Sequence, residues 1–324
     1  MKKIVIIGAG ELGSRHLQGL LKLKNKESIY VLDLSSKSLD IAKNRAIEIN
    51  HSHNISYISD WSLLPKELDL VIVATGANVR RKVVIQLLEG FKVNNLVLEK
   101  ILFQDLESYH KIDVLLKKTQ TPTWVNHPRR MAPHYQEIRK SIIEAKEKVV
   151  FQIVGGNWGL ACNGLHFIDL CCFLTGENIK ELDLEWVDKN IQESKRENNI
   201  EFSGSIKGKL ENNSSFIITS FNSEQSDISI YISTGSQRWI IQEGRAQKII
   251  HLSKSNNFNE VITSFVTEYQ STLTTKIAND IFELRSCSLP TYEEACASHI
   301  PFIDSSIKKF IEITGIETNI CPIT

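Results

Sequence analysis

The chain has 324 residues, long enough for two domains that each bury a core of their own. Hydrophobic residues make up 42% and charged residues 23%, a balance that excludes collagen-like and disordered classes and points to a globular protein. Lys+Arg and Asp+Glu both number 38, so the formal net charge is zero and nothing in bulk charge draws the chain to nucleic acid or anionic lipid.

The opening MKKIVIIGAG has the lysines and apolar run of a secretory signal, but Glu11 and Arg15 interrupt it early. No apolar stretch approaches the ~18–20 residues that a membrane helix needs, so a cytoplasmic address without a membrane partner is expected. KIVII at 3–7 and SIYVLD at 28–33 are β-branched runs separated by helical spacing at Leu12, His16, Leu20 and Leu23, which predicts a β-α-β unit. The alternation continues with a helix near 38–49, a strand at 69–74, a helix near 79–90 and a strand at 95–99. Strands that are apolar at nearly every residue predict a parallel sheet covered on both faces. The expected first domain is therefore a doubly wound, dinucleotide-binding domain over 1–122.

Around Thr121-Pro122-Thr123 the pattern changes. After a helical segment at 133–147, the runs KVVFQIVGG, SGSIKGKLE, SSFIITSF, DISIYIST and RWIIQEG show period-2 or dense β-branched patterning between Gly, Asn and Ser clusters. Helical patterns return at 259–285 and, after Pro290-Thr291, at 292–312. Residues 123–324 are expected to form an α+β domain with a large, mainly antiparallel open sheet, making the whole chain α/β. The six cysteines, Cys162, Cys171, Cys172, Cys287, Cys296 and Cys321, lack C-x-x-C spacing and are expected to be reduced thiols. No histidine is spaced to complete a zinc set with them, so no metal is expected.

Strand 3–7 runs directly into Gly8-Ala9-Gly10-Glu11-Leu12-Gly13, a G-x-G-x-x-G between a strand and a helix. Gly8 suits the tight turn, Gly10 lets backbone N–H groups approach a pyrophosphate, and Gly13 lets helix and strand pack closely. Glu11 and Leu12 complete the loop that faces the cofactor. Asp33 closes the second strand about twenty residues later, where a carboxylate accepts hydrogen bonds from the adenosine ribose and favours NAD over NADP. Ligands of such Rossmann sheets lie beyond the carboxyl ends of the strands, which adds Thr75, Asn78 and Glu99 to the expected cofactor contacts.

VIVATGANVR, then VLEK at 97–100, then GLACNGLHFIDLCCFLTG at 159–176, together with Leu289-Pro290-Thr291, resemble the glucose-fructose oxidoreductase/inositol dehydrogenase/rhizopine-catabolism (Gfo/Idh/MocA) family over nearly the whole chain. That resemblance implies a Rossmann domain followed by an α/β domain whose open sheet builds a homodimer or homotetramer. It makes Lys100 the active-site lysine of an E-K-P motif in which Ile101 replaces proline. A cis peptide before a non-proline residue costs about 3 kcal/mol, so a trans Lys100–Ile101 bond is expected. Gly164, His166 and Asp169 match the family's D-x-G-x-H-x-x-D, with Cys162 where its first aspartate stands. On a helix, Cys162, His166 and Asp169 share one face, while Asn163 projects about 100° away from it. Arg130 matches the family's R-F-x-P stretch. Asn126, His127, Arg129 and Arg130 are weighed as contacts to substrate hydroxyls or a phosphate against a capped helix entrance with solvated charge. His16 is expected to pack rather than react.

His166 can take a hydroxyl proton near neutral pH, and Lys100 can stabilise the developing alkoxide. Substrate contacts are expected from Lys100, Arg130, Cys162, Asn163 and Asp169. The implied function is an NAD(P)-dependent oxidoreductase acting on a hydroxyl or keto carbon of a sugar, polyol or nucleotide sugar, with bacterial surface-glycan biosynthesis as its setting. The alternative is a non-catalytic dinucleotide-binding sensor or assembly subunit, to which Ile101 and Cys162 lend weight.

Overall fold

The computed structural model describes residues 1–196 and 198–324. In chain order its elements are β1 (Lys3–Ile7), α1 (Glu11–Leu20), β2 (Ser28–Leu32), α2 (Ser36–Ile47), β3 (Asn54–Ile58), β4 (Glu67–Leu68), β5 (Leu70–Val73), α3 (Ala77–Gly90), β6 (Lys92–Val93), β7 (Leu96–Leu98), α4 (Leu106–Thr119) and β8 (Thr123–Val125). There follow α5 (Pro133–Ala145), β9 (Val150–Gly156), α6 (Leu160–Thr175), β10 (Ile179–Asp183), β11 (Gln192–Glu193), β12 (Ile200–Glu201), β13 (Gly204–Leu210) and β14 (Ser215–Phe221). The remainder is β15 (Ser229–Ser233), β16 (Gln237–Gln242), β17 (Lys248–Ser253), β18 (Val261–Ser264), α7 (Gln270–Leu284) and α8 (Tyr292–Thr314).

The chain divides into two compact units. The first comprises residues 1–103, 107–128 and 268–294; the second comprises 104–106, 129–267 and 295–324. The first unit holds a six-stranded sheet in the order β3-β2-β1-β5-β7-β8, with every named pair parallel. Ile4 to Ile7 and Leu70 to Val73 are buried along their length, because the central strands are covered on both faces and have no solvent side to occupy with polar residues. Ser35 caps α2 by accepting from the Ser38 N–H at 3.3 Å. Thr291 and Glu294 form a reciprocal capping box at the start of α8, with bonds of 3.2 and 2.8 Å.

Two expectations change in this unit. The strand after Pro122 extends the first sheet, pairing Leu96 with Thr123 and Leu98 with Val125, so the break at 122/123 gives way to one at Pro128. Helix α7 also belongs here. It packs against α1, where Gly19 lies so close to Thr274 that a Cβ would come within 2.6 Å of the threonine Cβ. Helical periodicity in α7 reveals a buried face but not which surface buries it.

The second unit is built on an eight-stranded sheet in the order β10-β13-β14-β9-β15-β16-β17-β18. All neighbours are antiparallel except β9 and β14, which run parallel from Val150↔Ser215 to Gly156↔Phe221. The helix expected over 259–285 begins only at Gln270. Val261 to Ser264 instead form the exposed edge strand β18, pairing Ile262 with Ile250. Its Val-Ile-Thr content suits an extended backbone better than a helix, where β-branched side chains lose rotamer freedom. Among the described residues no helix is long and apolar enough to cross a membrane, and no three His, Cys, Asp or Glu residues gather to hold a metal ion.

Candidate functional site

In the first unit, β1 ends in a turn that only glycine fits. Gly8 has φ of +95°, and a Cβ there would lie 2.8 Å from the Thr75 nitrogen. At Gly13 a Cβ would fall 1.7 Å from the Gly8 carbonyl oxygen, so α1 sits directly on the turn. Gly10 differs, because nothing lies within 4 Å of its Cβ position. It is the N-cap of α1 and no side chain bonds to that helix start, which leaves open space in front of unengaged N–H groups carrying the positive end of the helix dipole. That combination fits a pyrophosphate.

Asp33 follows β2, as expected. One carboxylate oxygen accepts from Ala9 N at 2.7 Å and the other from Ser35 N at 2.8 Å, so the acid is fixed beside the glycine turn while remaining half-buried. Glu11 points out to solvent and pairs with Arg45, which also donates to the Glu11 carbonyl and the Ser14 hydroxyl. The Thr75 hydroxyl oxygen beyond β5 is buried without a hydrogen-bond partner, a polar atom suited to a ligand contact. Asn78 is exposed on the first turn of α3, whose N-cap Gly76 likewise lacks a side-chain bond.

Beyond β7, Lys100 is 8% exposed and Glu99 3%. The Lys100–Ile101 peptide is cis, which corrects the trans expectation; Ile101 is fully buried and its carbonyl accepts from the Arg80 guanidinium. Arg80 also donates to the carbonyls of Leu102, at 3.1 Å, and Thr75, tying the loops after β5 and β7 together from within α3. Glu99 faces inward. His16 Nε2 donates to it at 2.8 Å and Asn126 Nδ2 at 2.5 Å; Asn126 also bonds Gln270 at 2.9 Å, and His16 Nδ1 lies 2.9 Å from the Thr274 hydroxyl. Burial pushes the Glu99 carboxyl up, but the His16 and Asn126 hydrogen bonds and the nearby Arg80 charge outweigh it and hold it below the ordinary range. His16 is therefore a packed, hydrogen-bonded residue. Glu99 and Asn126 act in the same buried network, which braces the strand end that carries Lys100.

In the second unit, α6 confirms the helical register of Cys162, His166 and Asp169 but separates their environments. Cys162 and His166 are partly accessible, whereas Asp169 is 1% exposed and receives a bidentate fork from Arg130, at 2.9 and 2.7 Å. Arg130 and Asp169 thus satisfy each other, a buried pair that fixes α6 against the segment before α5. Asn163 donates to the Trp158 carbonyl at 2.7 Å, closing the turn that leads into α6. Arg129 makes a second fork, to Glu243 at 3.1 and 2.7 Å, and its guanidinium lies 4.1 Å from the centre of the Phe167 ring. The Tyr135 hydroxyl donates to the same carboxylate at 2.9 Å. The Asn126, Arg129 and Arg130 side chains therefore build structure within their own units. His127 is 1% exposed.

Three contributors escape sequence reasoning. Arg80 lies at the end of VIVATGANVR but holds no motif position, and a lone arginine on a helix reads as solvated charge. Glu243 lies more than a hundred positions from Arg129. Glu201 of β12 receives the Ala161 and Cys162 N–H groups at the start of α6, a contact across forty positions with no local signature.

Residues 2–127 match the sequence model of the GFO_IDH_MocA oxidoreductase family, described as an NAD-binding Rossmann fold. No curated protein sequence matches the chain. Among solved structures, UDP-N-acetylglucosamine 3-dehydrogenase GnnA from Acidithiobacillus ferrooxidans is similar at 13% identity and a TM-score of 0.71, covering 94% of this chain and 96% of that one. An oxidoreductase from Agrobacterium radiobacter in complex with NAD+, L-tartaric acid and magnesium gives 13%, 0.69, 94% and 96%. The transcriptional regulator Gal80p from Kluyveromyces lactis gives 14%, 0.73, 96% and 89%. At these identities the structural likenesses establish the fold alone.

Proposed function

From the premise that residues 2–127 belong to the NAD-binding Rossmann fold of the Gfo/Idh/MocA oxidoreductase family, we propose that the chain is a dehydrogenase or reductase acting on the hydroxyl or keto carbon of a sugar, polyol or nucleotide sugar. The observation that carries the reading is the open Gly10 cradle, held by the tight contacts of Gly8 and Gly13 and flanked by Asp33. Gly8, Gly10 and Gly13 would hold the pyrophosphate of NAD, Asp33 the adenosine ribose, and Thr75 and Asn78 the nucleotide beyond it. NAD when bound supplies the acceptor or donor of hydride.

Oxidation of a carbinol also releases the hydroxyl proton. His166 takes that proton and Lys100 stabilises the charge that builds on oxygen; in reduction the same two groups, protonated, polarise the carbonyl and return the proton. The Glu99 network holds the strand end bearing Lys100, and the Arg130–Asp169 fork holds the helix bearing His166. GnnA supports a nucleotide sugar within the substrate class, and bacterial surface-glycan synthesis is the setting we propose with it. We further propose a cytoplasmic homodimer or homotetramer built through the open sheet.

The test is a screen for appearance or loss of reduced nicotinamide absorbance with sugars, sugar acids and nucleotide sugars, followed by Lys100→Ala and His166→Ala. Both variants should lose turnover while keeping NAD affinity. Full activity in either overturns the assignment. A second reading, a dinucleotide-binding sensor without turnover, draws support from Cys162 in place of the acid and from the likeness to Gal80p. NADH binding without turnover of any compound in the screen would select it.

A further inference from the structure

We propose that Glu201 is the positioning carboxylate of helix α6, supplying from β12 the negative group that the chain lacks at Cys162. The inference rests on the role given to His166 above, but its geometry lies wholly within the second unit. In α6, Gly159 is the N-cap, which makes Ala161 and Cys162 the second and third helical residues, whose N–H groups have no intrahelical acceptor. The Glu201 carboxylate takes both. One oxygen accepts from Ala161 N, the other lies 3.3 Å from Cys162 N, and the first also accepts from Phe202 N at 2.9 Å.

The surrounding chain is shaped for this carboxylate. Gly159 has φ of +83°, and a Cβ there would meet the second Glu201 oxygen at 3.0 Å and the Asn163 amide nitrogen at 3.2 Å, so any side chain would crowd the acid out. β12 is held on both sides, by pairing of Gln192 with Glu201 and by Ile200 N donating to the Pro322 carbonyl at 2.8 Å. Glu201 is 9% exposed, a buried anion set at the positive end of the helix dipole. His166 lies one turn beyond Cys162 on the same face, so the position of the first turn fixes that of the imidazole. An aspartate at 162 would occupy the third helical position, where an acid engages the helix start itself. Glu201 performs that service from outside the helix.

The two carboxylates should therefore substitute for each other and clash together. The experiment compares E201Q, C162D and the double variant E201Q/C162D in the full-length chain. Misplacing a reacting group by about 1 Å can cost on the order of a hundredfold in rate. E201Q should lower kcat between tenfold and a hundredfold with NADH affinity changed less than about twofold, and E201Q/C162D should return kcat to within about threefold of wild type. The His166 ring 15N resonance, measured without substrate, should move in E201Q and move back in the double variant. That arm reads the proposal even if the wild-type chain turns over nothing in the screen, a result that would sink the oxidoreductase reading alone. Unchanged His166 resonance in E201Q, or a double variant no better than E201Q, overturns the proposal. Should E201Q fail to fold, C162D decides: an aspartate beside the retained Glu201 must shift the His166 resonance, and an unmoved signal overturns the proposal as well.

Discussion

Alanine at Gly10 and alanine at Gly13 should have opposite consequences, although the two glycines are three positions apart in one motif. At Gly13 the new Cβ would be 1.7 Å from a carbonyl oxygen, whereas ordinary contact needs more than 3 Å. Helix α1 or the turn must move by well over an ångström, and overpacking of that kind costs about 1–3 kcal/mol or more. At Gly10 the Cβ enters open space and the backbone φ of −64° is one that alanine adopts freely, so stability should change by less than about 1 kcal/mol. The same methyl stands where a pyrophosphate would meet the α1 N–H groups. Losing one or two charge-assisted hydrogen bonds, at about 1.5–3 kcal/mol each, raises the NADH dissociation constant roughly tenfold to about twenty-thousandfold. Thermal melting and NADH fluorescence titration measure the two effects separately. Gly10→Ala binding NADH like wild type would refute the placement of the pyrophosphate, and an undisturbed melting temperature in Gly13→Ala would refute the close packing beneath it.

Asp33→Ala should weaken NAD far more than NADP in parallel titrations, since the carboxylate that favours a free ribose also repels a 2′-phosphate; equal losses would exclude that role. Asp169→Asn removes the carboxylate charge that the buried Arg130 fork grips and should cost about 3–5 kcal/mol in denaturant unfolding, while Arg130→Met with Asp169→Leu together should recover most of it. The Glu243 carboxyl, pushed up by burial but held below its ordinary value by the Arg129 charge and by hydrogen bonds from Arg129 and Tyr135, stabilises the fold fully above the unfolded-state value of about 4.3, and that contribution fades as pH falls through the lower folded value. Glu243→Gln should therefore destabilise the chain at neutral pH and flatten its acid-side loss of stability, read from melting temperatures between about pH 6 and pH 3.

The parallel sheet was readable because strands buried on both faces leave an unbroken apolar record, as in Ile4 to Ile7 and Leu70 to Val73. The cofactor cradle was readable because three glycines, each with its own steric reason, stand at fixed spacing next to a strand. What escaped the sequence depends on partners rather than on patterns. Arg130 and Asp169 both carried motif positions that resemblance linked to substrate, yet they meet each other, which only the packing of α6 reveals. Asn126, which the sequence leaves open between a substrate contact and a structural role, shares Glu99 with His16. Val261 to Ser264 read as part of a helical pattern because four exposed residues on a sheet edge show no alternation between buried and open sides.

Helix α7 arrives late in the chain but completes the unit that begins at the first residue. A ribosome synthesising this protein exposes the α1 face bearing His16 and Gly19 long before Thr274 and Gln270 emerge to cover it. The nucleotide-binding half therefore cannot finish folding as a nascent domain in the usual amino-to-carboxyl sequence; it must wait, partly assembled, until most of the other half has left the exit tunnel. A fragment stopped at Pro128 would inherit that unfinished surface permanently, and is better expressed with residues 268–294 grafted behind it.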